Sequence, residues 1–417
     1  MTLKRYNEKK DEMQAIKQYT DFYDEVRDVI FERSTSEMNA QREQAFRTFS
    51  TKGFPTKKAE RYRYASVEAD FAPNFGIQLS PLSGKLPPYC FRIAEAEPRV
   101  RALYNKVADT DDSIVALSAM LSVDTLVVHV PRCERPEHPI QISNLLRGNQ
   151  DAMVCRRILI VMDEQAQADV IITDRAASQN RFLTNQVIEV VMGDGAHLSL
   201  YDIEETHLLC TRYNSVFVHQ GRNSSLHHTS LTLFNGHTRN RLDVVLAGEG
   251  SEVTANGCVI ADKMQHVDNN TLIDHRVPRC QSSELYKYVL DDSSVGAFAG
   301  KVLVREGAQK TLSKETNANL CATSSARMYS QPMLEIYADD VQCSHGSTVG
   351  QMDESALFYM RQRGIDEKEA RLLLKAAFIT EVIESIPLES LRDRLHVLVD
   401  KRMRGELSKC EGCKLCQ

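Results

Sequence analysis

Apolar residues recur every three or four positions near the N-terminus, which is the spacing of an amphipathic α-helix. The repeat consists of Met13, Ile16, Tyr19, Tyr23, Val26 and Ile30. Residues 34–36 interrupt it, and a second helix carries Ala45, Phe46 and Phe49 before the break at Gly53–Pro55. Prolines between Pro81 and Pro98 then favour loops and short strands. These patterns predict a helical and mixed N-terminal domain over residues 1–123.

Short β-rich runs replace the helical repeat over residues 124–352. Runs such as Gln186–Met192 and Leu226–Phe234 are typical of strands, and no helix-length periodic segment separates them. Glycine-rich breaks at Gly193, Gly221 and Gly248 recur about every 27 residues, a spacing that a coiled β architecture gives over one or two turns. A sandwich or barrel also fits the runs. The regular breaks favour a right-handed parallel β-helix whose ends are covered by helical segments.

The helical pattern returns over residues 353–417. Asp366 and Glu369 make an Asp-x-x-Glu capping arrangement, and Pro387 ends the helix that follows. The apolar stripe of that helix contains Leu372, Ala376, Ile379, Ile383 and Ile386. The C-terminal domain is therefore predicted to be a helical hairpin with more apolar surface than one helix pair needs. The surplus docks a partner or packs on the β region, and both alternatives stay open.

Composition narrows the class of protein. The chain has 417 residues, 26% of them charged, and a net charge of −6, so a duplex-binding surface and nucleic-acid partners are not expected. No apolar run approaches the ~18 residues of a membrane span. The charged N-terminus lacks a signal-peptide pattern, and 11 cysteines show no disulfide framework. We expect a cytoplasmic protein with reduced thiols and no membrane partner.

Common catalytic signatures are missing from the sequence. There is no phosphate-binding P-loop, no dinucleotide-binding glycine loop, no G-x-S-x-G elbow and no H-E-x-x-H zinc motif. We therefore predict that the chain does not hydrolyse ATP by a Walker mechanism.

Cys343 and His345 lie two residues apart in the extended segment Leu334–Ser355. The two-residue period of a strand places both on one face, in line with Val341. A thiolate and an imidazole are ligands for zinc, iron or an iron–sulfur unit, but two ligands do not complete a site. A second chain or a distant segment would have to supply the rest. By spacing alone, a buried thiol and a structural histidine near a strand end are the favoured explanation, because Cys-x-His is a weak metal-binding pattern.

Two further clusters are weaker metal candidates. His266, Asp268, Asp274 and His275 suggest a two-histidine-carboxylate site, although Asn269–Asn270 looks like a turn and a polar ladder between stacked coils is the simpler explanation. The tail places Cys410, Cys413 and Cys416 at three-residue spacing. These thiols could bind zinc or a cluster with a fourth ligand, or serve as a redox-sensitive appendage.

Five sequence blocks resemble one protein family. They are GFPTKKAERYRY from Gly53, QHVDNNTLIDHRVP from Gln265, SSELYK from Ser282, GKVLVREGAQKT from Gly300 and LEIYADDVQCSHGSTVGQMDESALFYMRQRGI from Leu334. The resemblance is to the SufB/SufD family of iron–sulfur cluster assembly proteins, in its SufD-like branch, and it spans most of the chain. The cysteine-rich N-terminal motif of SufB is missing, and its sulfur-accepting cysteine has no counterpart over residues 325–332.

The resemblance implies that the chain is not an enzyme but a non-catalytic scaffold subunit of an ATP-driven complex. It implies a SufB-like partner at the β-helix, with Cys343 and His345 at that interface, and a SufC-like ATPase on the C-terminal helices. Leu372, Ala376, Ile379 and Ile383 would then form the ATPase-docking stripe. A transient iron–sulfur cluster would form at the interface, supplied by a sulfur donor and passed to apoproteins, with no tightly bound cofactor in the isolated chain. A homodimer is a further expectation for that isolated chain.

Two alternatives come from other classes of protein. A stand-alone metal-binding protein would use the C-terminal cysteines, and a β-helix carbohydrate-active enzyme would carry paired carboxylates on an exposed face. The second would usually have an export signal, which the sequence does not show.

Overall fold

The computed structural model describes residues 3–79, 82 and 84–406. The N-terminal region, up to Leu121, is mainly helical. Its elements are α1 (Leu3–Arg33), α2 (Ser36–Lys52), α3 (Val67–Phe71), β1 (Gly76–Gln78), β2 (Cys90–Arg92), α4 (Pro98–Arg101) and α5 (Ser113–Leu121), with 3-10 turns at Glu60–Tyr62 and Ile93–Glu95. The Thr35 side chain accepts a hydrogen bond from the Met38 backbone and so fixes the start of α2. Asp112 caps α5 in the same way.

Sixteen strands then alternate between two sheets. The first sheet contains β3 (Leu126–Val130), β5 (Ala152–Met162), β7 (Phe182–Met192), β9 (Cys210–Gln220), β11 (His237–Leu246), β13 (His266–His275), β15 (Val295–Val304) and β17 (Arg327–Ile336). The second contains β4 (Ile140–Leu146), β6 (Gln167–Ala176), β8 (His197–Glu205), β10 (Ser225–Phe234), β12 (Glu252–Ala261), β14 (Gln281–Leu290), β16 (Leu312–Cys321) and β18 (Gln342–Gln351). Each time the chain returns to a sheet, it adds a new strand beside the strand that the previous coil placed there.

This arrangement is a parallel β-helix, as the sequence predicted, and it excludes a sandwich or barrel. Ser225 is in register with Glu252, so that coil takes 27 residues, and Gln281 is in register with Leu312, so that coil takes 31. The antiparallel strand β2 pairs with β3 and closes one end of the first sheet.

Buried amide side chains form a ladder across neighbouring coils. Gln186 Nε2 donates to Asn214 Oδ1 at 2.9 Å, and Asn240 Nδ2 donates to Asn269 Oδ1 at 3.0 Å. Asn214 and Asn240 are register partners, so all four lie in one row. The turn predicted at Asn269 and Asn270 is wrong, because both residues lie within β13. The alternative of a polar ladder between coils is confirmed.

Charged side chains are also buried between the sheets. The Arg212 guanidinium lies 2.6 Å from Asp202 and 2.7 Å from Asp174, and Arg156 lies 2.7 Å from Asp174. The side chains of Arg212, Asp174 and Asp202 are at most 3% exposed. Because an unpaired buried charge costs several kcal/mol, these ion pairs make each partner depend on the other.

Helices cover the outer faces of the two sheets. Tyr19, Phe49 and Phe71 of the N-terminal region share an apolar cluster with Met153 of β5 and Leu183 of β7. The C-terminal helices are α6 (Glu354–Gln362), α7 (Glu367–Glu384) and α8 (Glu389–Met403). Helices α7 and α8 pack on the second sheet, where Ile379 and Leu395 contact the cluster that contains Leu231 and Ile260. No helix in the described ranges has the length and apolar character that crossing a membrane requires.

Arg212 provides a test of the buried ion pairs. Arg212→Met should lower the free energy of unfolding by about 3–5 kcal/mol, because it leaves the Asp202 carboxylate buried without its cation. Urea denaturation followed by circular dichroism measures the change. Arg222→Met is the matched control, since Arg222 pairs with Asp194 at 2.7 Å but is 71% exposed, and its effect should be far smaller. Equal effects of the two substitutions would contradict this account.

Candidate functional site

The last coil of the β-helix has an open edge. Strand β18 pairs only with β16 and strand β17 only with β15 in the part of the chain that the structure describes. Nine of the ten residues of β18 are exposed, and Cys343 alone is partly buried. An edge of this kind presents unpaired backbone N–H and C=O groups, which another strand can meet.

Cys343 and His345 lie on this last strand and on the same face of it. Cys343 is in register with Ser313, and His345 is in register with Glu315. Both partners are buried between the sheets, so the Cys343 and His345 positions continue two interior rows to the open end. His345 is nevertheless exposed, because no further coil covers it within the described residues.

The Cys343 thiol sits in a partly apolar environment. It contacts the cluster formed by Val302, Val304, Ala308 and Ala338. Burial raises the pKa of the Cys343 thiol above its ordinary value, so the thiol is protonated at neutral pH. Metal binding requires the thiolate, which means that an arriving cation has to displace a proton.

A groove of about 560 Å³ opens beside Cys343. It is lined by the first residues of strands β12, β14, β16 and β18, among them Ser282, Ser313 and Cys343. The Ser282 hydroxyl donates to Ser313 at 2.8 Å and lies 2.9 Å from His275 Nε2. A polar row therefore leads from the interior to the thiol.

Exposed apolar side chains surround the open end. Tyr337, which directly follows β17, is 60% exposed, and Val349, which lies in β18, is 55% exposed. Tyr64 of the N-terminal region stacks on Tyr329 with ring centroids 5.0 Å apart. No short-range pattern in the sequence indicates this contact, because the two tyrosines lie 265 positions apart in the chain. An N-terminal segment thus forms part of the surface at the open end.

The other predicted metal candidates are not assembled into a site. Asp268 pairs with Arg239, and Asp274 lies 2.8 Å from Arg276 and 2.9 Å from Arg305, so both carboxylates are already neutralised. Among the described residues, no three His, Cys, Asp or Glu side chains are placed to hold a metal ion. The tail residues Cys410, Cys413 and Cys416 lie outside the described residues, and the eight described cysteines are free thiols.

The predicted ATPase-docking stripe lies mostly inside the protein. Leu372, Ile379 and Ile383 are buried, the last two against the second sheet, while Ala376 is half-buried. The apolar surplus of α7 is therefore used to attach the hairpin to the β-helix. Docking of an ATPase at these four positions stays a prediction. Other apolar side chains of the C-terminal helices are exposed, namely Phe358, Tyr359, Leu373 and Val397.

Comparisons with known proteins agree on one family. The model described as SUF system FeS cluster assembly, SufBD core domain, matches residues 145–378, and the model for the SufBD protein N-terminal region matches residues 13–92 and 91–142. The chain is 26% identical over 412 aligned residues to iron–sulfur cluster assembly protein SufD of Escherichia coli. This alignment covers 90% of this chain and 96% of that protein. It is 31% identical over 296 residues to a SufBD family protein of Synechocystis, covering 67% of this chain and 64% of that protein. SufD of Bacillus subtilis is 24% identical to this chain over 295 residues, and the alignment covers 70% of this chain and 68% of that protein.

Thiol alkylation tests the environment of Cys343. Because its pKa is raised above the ordinary value of 9.0, the rate of iodoacetamide modification should keep rising as the pH passes 9. Peptide mass spectrometry of the native chain at a series of pH values measures this rate. Cys258 is the control, since it is fully buried and should react only after unfolding. A Cys343 rate that levels off below pH 9 would show that the pKa is not raised.

Proposed function

This chain belongs to the SufBD family of the SUF iron–sulfur cluster assembly system, and it is a homologue of SufD. From this premise we propose that it is a non-catalytic scaffold subunit that pairs with a SufB-like subunit and carries a SufC-like ATPase. The observation that carries the proposal is the open last coil, which holds Cys343 and His345 beside unpaired strand edges.

Pairing through the last coil would satisfy the unpaired backbone. A second β-helix that ends in the same way could add its last strands to β17 and β18 by backbone hydrogen bonds. The exposed side chains of Ile336, Tyr337 and Val349 would then be removed from water. The isolated chain has the same surface, which supports homodimer formation when no SufB-like subunit is present.

The interface would complete the ligand set of a cluster under assembly. Cys343 supplies a soft thiolate and His345 an imidazole, the types of ligand that hold iron in clusters. Partner residues would supply the rest. The iron–sulfur unit is the cargo here, with sulfur delivered by a donor protein and the finished cluster taken by apoproteins. Such a site retains a cluster only while the subunits are in contact.

The C-terminal helices are attached firmly enough to transmit movement from an ATPase. Lys287 of β14 donates to the Phe378 carbonyl of α7 at 3.0 Å and lies 2.5 Å from the Glu381 carboxylate. Lys375 of α7 also pairs with Asp291. An ATPase seated on the outer face, at Leu373 and Val397, would therefore move α7 and β14 together. Strand β14 is two coils from the open end.

Val349 tests the pairing surface. Val349→Asp should raise the dissociation constant for the SufB-like subunit at least about tenfold, because it buries a charge where an apolar contact is expected. Co-purification and analytical ultracentrifugation measure the loss. Met264→Asp is the control, since Met264 is 87% exposed and lies away from the last coil. Unchanged pairing of the Val349 variant would refute the interface.

His345 tests the assembly site. His345→Ala should lower the rate of cluster formation in the reconstituted complex by about tenfold or more, the scale of effect that metal-site perturbations produce. The subunits should still assemble, because the substitution removes a ligand and not an interface strand. Iron and sulfide quantification measures the rate, with His219→Ala, at another exposed strand position, as the control. Full activity of the His345 variant would exclude the histidine as a ligand.

A further inference from the structure

Most buried carboxylates in this protein are neutralised by arginine. Eight Asp and Glu residues are buried in the described part of the chain, and six of them have a guanidinium within 3.8 Å. The six are Asp174, Glu189, Asp202, Glu204, Asp268 and Asp274. The two that have no such partner are Glu284 and Glu315, each 1% exposed.

These two carboxylates are neighbours inside the β-helix. Glu284 on β14 and Glu315 on β16 are register partners on adjacent strands, which lie ~4.8 Å apart. Thr271 Oγ1 donates to Glu284 Oε2 at 3.0 Å. The other three carboxylate oxygens are buried and accept no hydrogen bond. Two unneutralised carboxylates side by side are costly unless a proton or a cation lies between them.

The opposite sheet leaves room at Glu315 and offers it no donor. Thr271, which serves Glu284, has Gly300 as its register partner in the next coil. A Cβ atom at Gly300 would lie only 2.1 Å from Glu315 Oε1, so a side chain there would collide with the carboxylate. Glycine at this position therefore makes space for the carboxylate and removes the hydroxyl that the previous coil provides.

The pair lies directly beneath the open end. His345 is the register partner of Glu315 in the last coil and is exposed, whereas Glu315 is buried. The row Glu284–Glu315–His345 therefore runs from the interior to the proposed assembly interface. Burial raises the pKa values of both glutamates, and repulsion between them adds to the effect at Glu284.

We propose that Glu284 and Glu315 form a binding site for a divalent cation, which enters past His345 and is ferrous iron in the cell. Carboxylate and hydroxyl oxygens suit hard and borderline divalent ions such as Mn²⁺ and Fe²⁺, with water completing the coordination. The cation site rests on the buried pair itself, and only its assignment to iron rests on the proposed function. The site would hold iron one coil below the interface where a cluster forms.

Mn²⁺ binding to the isolated full-length chain tests the site without any partner subunit. Wild-type protein should bind one Mn²⁺ in an electron paramagnetic resonance titration, and anaerobic Fe²⁺ should displace it. Glu315→Gln and Glu284→Gln should each weaken binding at least tenfold, because each removes a charged ligand. Glu204→Gln is the matched control, since Glu204 is also buried but accepts hydrogen bonds from Thr206 at 3.2 Å and Thr238 at 2.8 Å. Its Mn²⁺ affinity should stay unchanged.

Several outcomes would overturn the site. No Mn²⁺ or Fe²⁺ binding by the wild-type chain would mean that the pair is held together by a shared proton. If both glutamine variants bound Mn²⁺ as tightly as the wild-type chain, the cation would lie elsewhere. Crystals of wild-type protein soaked in Mn²⁺ decide the matter even if a variant fails to fold, because an anomalous peak must lie between the two carboxylates. Retained Mn²⁺ binding in a chain that does not support cluster assembly would instead count against the proposed function alone.

Discussion

Parallel pairing between successive coils is the constraint on which the rest of this structure depends. Each strand satisfies its backbone groups only through the coil before it and the coil after it. At the first coil, β2 closes one sheet as an antiparallel strand. At the last coil, β17 and β18 have no following strand among the described residues. The position of Cys343 and His345 at an accessible edge is a consequence of where the stack ends.

Stacking also determines how polar groups are accommodated between the sheets. Because register partners recur in rows, one polar side chain is tolerated when the next coil supplies its partner. Amide side chains in the row from Gln186 to Asn269 form hydrogen bonds between neighbouring coils. Arg212 forms ion pairs with Asp174 and Asp202. The row that ends at His345 breaks this pattern at Glu284 and Glu315. An interior that neutralises its other buried acids leaves these two next to the open end.

The helical regions connect distant parts of the β-helix to the same site. Arg241 of β11 lies 2.8 Å from Asp109 and 3.1 Å from Asp112, which fastens the N-terminal region to the first sheet. Tyr64 of that region reaches the last coil at Tyr329. On the other sheet, α7 is fixed to β14 through Lys287. Both flanking regions therefore contact the structure within a few coils of the open end.

The sequence by itself determined the features that depend on short-range periodicity. Spacings of three to four residues predicted the terminal helices, and the two-residue period placed Cys343 and His345 on one face. The regular glycine breaks indicated a coiled β architecture, and extended blocks of residues indicated the family. Tertiary structure alone decided that Asn269 lies within a strand, that Ile379 packs on a sheet, and that Glu284 meets Glu315. These outcomes depend on register between segments about thirty residues apart, which is fixed by the length and path of the intervening turns and by packing across the two sheets.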